Sequence, residues 1–82
     1  MEAQTGHETA ANPLRRIREA LGLTQAQLAE KLRWSRQYVH QLESGTDPIG
    51  GNTALRIADA FPDQMAQLGL TVEDLLRAGR AA

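Results

Sequence analysis

Four residues carry the most suggestive side-chain chemistry in this chain of 82 residues: Arg36, Gln37, His40 and Gln41. Their spacing places all four on one side of a single helix. Arg presents paired donors that match a guanine edge, and Gln presents a donor and an acceptor that match an adenine edge in a major groove. No carboxylate stands among them. The chemistry is that of reading an edge by hydrogen bonds, and not that of breaking a bond. Nothing else in the chain suggests catalysis. There is no cysteine, and the two histidines, His7 and His40, are too far apart for an ordinary zinc site. Gly50-Gly51 lacks the Lys of a phosphate-cradling loop. No enzyme activity, metal or cofactor is expected.

A helix bearing those four side chains has to be held outward by others. The stretch Thr24 to Gly45, TQAQLAEKLRWSRQYVHQLESG, supplies the frame. Thr24 caps a helix over about Gln25 to Leu32, with Leu28, Ala29 and Leu32 recurring at helical spacing. The pattern breaks at Arg33-Trp34. Ser35 caps a second helix, about Arg36 to Glu43, in which Val39 and Leu42 face inward and Gly45 supplies the stop. Two helices this short are marginal alone and need each other and further helices. The reading is a helix-turn-helix with its recognition helix second. Ala29 is small enough to let the two helices approach closely. The position held by Arg33 usually wants Gly, because the backbone there turns left-handed, at a cost to Arg of roughly 1 kcal/mol. Trp34 reads as a packing lid over the turn. Tyr38 either lies along a nucleic-acid backbone with its hydroxyl near a phosphate or packs at the helix edge.

The remaining segments complete a small helical core. Asn12-Pro13 starts a helix with Leu14, Ile17 and Leu21 as its buried stripe and Gly22 as its end. Arg15 and Arg16 read as solvated surface. Ser44 to Gly51 is a loop. Asn52-Thr53 offers a cap for a helix from Ala54 to about Phe61, with Leu55, Ile57, Ala58 and Phe61 on its apolar side. Asp63 to Leu68 forms about one and a half turns. Thr71 caps a last helix with two acids in its first turn, and Val72, Leu75 and Leu76 pack inward or against a partner. Residues 1–11 read as a disordered tail, 12–78 as the folded domain and 79–82 as a frayed end.

Length allows one domain with a stability of about 5 kcal/mol. No apolar run reaches membrane-spanning length, and the chain reads as soluble and cytoplasmic. The net charge of −1 argues against indiscriminate nucleic-acid binding. Its distribution is uneven: residues 12–56 hold seven Lys or Arg against four Asp or Glu, while both flanks are net acidic. A basic middle between acidic ends fits one DNA-facing surface.

The segments LRRIREALGLTQAQLAEKLRWSRQYVHQLESG, TALRIADAF and GLTVEDLL together resemble the Cro/CI-type, lambda-repressor-like (XRE-like) helix-turn-helix regulators over about residues 13–78. The resemblance implies an all-α, compact five-helix bundle that binds operator DNA, usually as a homodimer. It implies base contacts from Arg36, Gln37 and Gln41, with His40 more peripheral. Gln25 matches a phosphate-contacting position, and Ser35 a cap that touches the backbone; Tyr38 and Arg33 complete the expected backbone contacts. Arg18 and Glu43 match a partly buried ion pair tying the first helix to the end of the recognition helix. Two departures stand out: Arg33 in place of the turn glycine, and about seven added residues from Pro62 to Leu68, next to a region that often forms the dimer interface.

The expected function is a sequence-specific, double-stranded DNA-binding transcriptional regulator, a dimeric repressor reading a palindromic operator. The alternative is an antitoxin or protein-interaction module on the same fold, with a partner surface in the C-terminal helices.

Overall fold

The computed structural model describes residues 12–78. The expected N-terminal tail, with His7, and the frayed C-terminus lie outside the described residues. Six helices follow one another: α1 (Pro13–Ala20), α2 (Gln25–Leu32), α3 (Arg36–Ser44), α4 (Gly51–Ala60), α5 (Pro62–Leu68) and α6 (Val72–Arg77). The bundle is all-helical among the described residues. It agrees with the five-helix bundle that the resemblance implies, the added Pro62–Leu68 segment forming the short helix α5 with Pro62 in its first turn.

Local chemistry sets most helix starts. The Asn12 Oδ1 accepts from the Leu14 and Arg15 amides at 2.8 and 3.4 Å, capping α1. Thr24 and Gln27 form a reciprocal capping box on α2, and Thr71 and Asp74 form another on α6. Ser35 Oγ accepts from the Tyr38 amide at 3.1 Å. The start of α4 departs from expectation. Its N-cap is Gly50, with no side-chain cap, and Asn52 and Thr53 lie inside its first turn.

Three helices end in the same hydrogen-bond pattern, in which the residue after a left-handed position reaches back five residues. Leu23 N–H donates to Arg18 O after Gly22, Trp34 N–H to Ala29 O after Arg33, and Leu70 N–H to Met65 O after Gly69. Two of those left-handed positions are glycine. The third is Arg33, with φ 62°, the one non-glycine residue of positive φ among those described.

The core joins every helix. Leu14 and Ile17 of α1, Leu28, Ala29 and Leu32 of α2, Val39 and Leu42 of α3, Ala54 and Ile57 of α4, Met65 of α5 and Leu75 of α6 are all buried in one cluster. Phe61 joins them from the α4–α5 junction. Ile49 is buried as well, from a loop whose composition hides it. Leu55 runs the other way: expected on the inner side of α4, it is 58% exposed, and Ala54 takes the inward place. Leu55 lies two residues before Ile57, so at 100° per residue it falls on nearly the opposite side of the helix, while Ala54, three residues before Ile57, shares its face. The α2–α3 pair forms the largest helix-to-helix packing, and α5 and α6 both lean on α1, behind that pair.

Candidate nucleic-acid interface

The outer side of α3 is defined by what its inner side buries. Val39 and Leu42 are fully buried, which turns Arg36, Gln37 and His40 to solvent, with Gln41 half-buried one turn on. Arg36, Gln37 and His40 line a shallow cleft of about 310 Å³. Long polar side chains standing exposed on one helix, with a cleft between them, can follow the edges of stacked base pairs.

A network built on one carboxylate holds this helix in place. The Glu43 side chain is only 4% exposed and accepts three hydrogen bonds. Arg18 Nε donates at 2.8 Å, Arg18 Nη2 at 3.1 Å and Gln25 Nε2 at 3.1 Å. Arg18 Nη1 also donates to the Leu23 carbonyl at 3.0 Å. One acid at the end of α3 is thereby fastened to α1, to the α1–α2 turn and to the first residue of α2. The hydrogen bond from Arg18 to Glu43 raises the Arg18 pKa above its ordinary value, so the guanidinium stays charged throughout the neutral range. A second tie is made by Asn12, whose Nδ2 donates to the Leu42 carbonyl at 2.8 Å. The sequence shows Asn12 as a cap but not this second role, because its partner lies thirty residues away.

The other candidate residues surround the same face. Gln25 commits one amide N–H to Glu43, which leaves the second N–H to donate elsewhere. Ser35 accepts the Tyr38 amide and keeps its hydroxyl proton. Arg33 is exposed at the turn. Tyr38 sits at the helix edge: its ring meets Trp34 edge-on at 5.1 Å, and its hydroxyl pairs with Thr53 Oγ1 at 3.2 Å. Trp34 packs against the core and carries the Arg56 guanidinium 5.9 Å from its ring centre. It serves as packing over the turn.

Charge follows the same division. Among the described residues, ion pairs engage Arg15 with Glu19, Arg18 with Glu43 and Arg77 with Asp74. Arg33 and Arg36, exposed at the turn and at the start of α3, are in none of them, and they offer positive charge beside the outer side of α3.

Two helices locked at a tight turn, the second presenting exposed Arg and Gln, define a DNA-binding helix-turn-helix domain. The helix-turn-helix family model HTH_3 matches residues 14–62, from α1 into the first residue of α5. The chain belongs to this family of Cro/CI-type helix-turn-helix proteins, and it is a DNA-binding regulator of transcription. Comparison with curated proteins and with solved structures returned no match. Among the described residues no helix is long and apolar enough to cross a membrane.

Proposed function

We propose that the chain is a dimeric repressor that reads a palindromic operator through the major groove. In this reading Arg36, Gln37 and Gln41 contact base edges, with His40 at the periphery. Gln25, Ser35 and Arg33 hold the phosphate backbone through the donors they retain. Tyr38 contributes through the packing of its helix and through any phosphate within reach of its hydroxyl. The observation that carries the proposal is the outer face of α3. Arg36, Gln37 and His40 stand exposed together, while Glu43 at the end of the same helix is consumed by internal bonds.

Selection of bound duplexes from a random pool tests it. The expected product is a set of inverted repeats whose half-sites lie about one helical turn apart, roughly 34 Å centre to centre. Single, unrepeated sites would overturn the dimeric part of the reading. Binding that falls steeply with salt but shows no sequence enrichment would overturn the specific part.

A further inference from the structure

The outward turn of Leu55 leaves a face of α4 that the regulator reading does not use. Asn52, Leu55, Arg56, Asp59 and Ala60 are all exposed, on the side of α4 opposite Ala54 and Ile57. With Lys31 and Leu32 of α2, these residues line an open groove of about 750 Å³. Leu55 is the one large hydrophobic residue left exposed among those described.

The charges on this face are of both signs, and Asp59 and Arg56 enter no ion pair among the described residues. Arg56 is nonetheless held in place. Its Nη2 donates to the Leu32 carbonyl, and its guanidinium lies over Trp34. A guanidinium fixed in this way loses little freedom when a carboxylate arrives, and it has further N–H groups to offer.

We propose that this face is where a second copy of the chain docks, α4 against α4 in antiparallel fashion. The proposal rests on the dimeric reading above and gives it a surface. A two-fold axis passing between Ile57 and Ala58 sets Arg56 opposite Asp59 of the second copy, and the symmetry makes the pair twice. The same axis brings the two Leu55 side chains to about 7–8 Å of each other along the helix direction, at 1.5 Å rise per residue. An unrelated acidic partner would leave Asp59 opposed by like charge; a second copy satisfies both signs. A helix of ten residues offers a strip only about 15 Å long. The interface is therefore at the small end of protein pairs, weak in free solution and strengthened when DNA holds two copies side by side.

Charge exchange tests this on the full chain. Sedimentation equilibrium up to millimolar concentration should show reversible dimers. Arg56→Asp and Asp59→Arg should each weaken dimerisation at least tenfold. An equimolar mixture of the two variants should restore it, because the heterodimer again pairs opposite charges at both places. Leu55→Glu, which leaves Arg56 on Trp34, should weaken dimerisation with no loss of helical signal. On selected DNA, Asp59→Arg and Leu55→Glu should lose cooperative filling of two half-sites yet bind a single half-site as strongly as the unaltered chain. A monomer at every concentration, or dimers indifferent to all three substitutions, would overturn the proposal. So would two variants that fail to rescue each other. Dimers that weaken with these substitutions but show no DNA preference would support this surface while refuting the operator reading, so the two failures are distinct.

Discussion

Glu43→Ala is the perturbation that most directly strains the architecture. The side chain is almost wholly buried and accepts bonds from Arg18 and from Gln25. Its removal leaves the Arg18 guanidinium, itself only 15% exposed, without its counter-charge. Breaking a buried pair from one side costs about 3–5 kcal/mol. Arg18 keeps its bond to the Leu23 carbonyl and some access to water, which puts the cost near the lower end, about 3 kcal/mol. Against a total of about 5 kcal/mol for a domain of this size, the variant keeps about 2 kcal/mol. The melting temperature should fall by about 12–24 °C. Replacing both partners, Arg18→Met with Glu43→Leu, should cost only about 1 kcal/mol, because neither charge is then stranded. Urea unfolding followed by helical circular dichroism measures the unaltered chain, Glu43→Ala, the double variant and both of its singles, Arg18→Met and Glu43→Leu. The raised Arg18 pKa means that the contribution of this guanidinium is full at neutral pH and is lost as pH rises through that raised value. The Glu43→Ala cost should therefore be constant from about pH 6 to 9. A loss below about 1 kcal/mol, or a double variant as unstable as the sum of the singles, would refute the argument that this network locks the recognition helix.

Other consequences concern the α2–α3 turn, the start of α6 and the contact proposed for Gln25. Arg33→Gly should stabilise the fold by about 1 kcal/mol, because glycine adopts the left-handed turn without strain; a destabilised variant in thermal melts would show that Arg33 holds contacts worth more than its strain. The Asp74 carboxyl is held below the ordinary aspartate range, first by the Thr71 backbone N–H and then by the Thr71 hydroxyl. Its contribution to stability is thus full above the ordinary value of about 3.9 and is lost as pH falls through the lowered one. Acid titrations of stability should flatten in this window in Asp74→Asn, and an unchanged acid slope would contradict the assignment. If Gln25 contacts phosphate as proposed, Gln25→Ala should weaken binding to all duplexes alike; a change confined to one base position would contradict that role.

What could be read from residues alone follows their physics. Thr24, Ser35 and Thr71 announce their helices because a cap is a local interaction between a hydroxyl and an amide three residues on. Leu28, Leu32, Val39 and Leu42 announce their core face by period alone. Arg33 announces a left-handed position because the helix pattern stops on one side of it and restarts on the other. Errors come where the deciding contact is distant in sequence. Ile49 sits among Gly, Pro and Asp and is buried only because the bundle closes over it. Leu55 is apolar but stands two residues before Ile57, a spacing that sends it to the other side of α4, where it is exposed. The Asn12 bond to Leu42 spans thirty residues and leaves no periodic trace. For the outer side of α3, residue type and period indicate which side chains share a face, while the fastening of Gln25 to Glu43 needs three dimensions.

The central claim is that the exposed side of α3 reads bases, and one measurement addresses it most directly. Gln37→Ala and the unaltered chain are titrated against the selected operator and against every single base-pair change within one half-site, at fixed salt. The account predicts a loss of about 1–3 kcal/mol on the operator, with discrimination vanishing at one base position and persisting at the others. An operator preference identical to that of the unaltered chain at every position would contradict it.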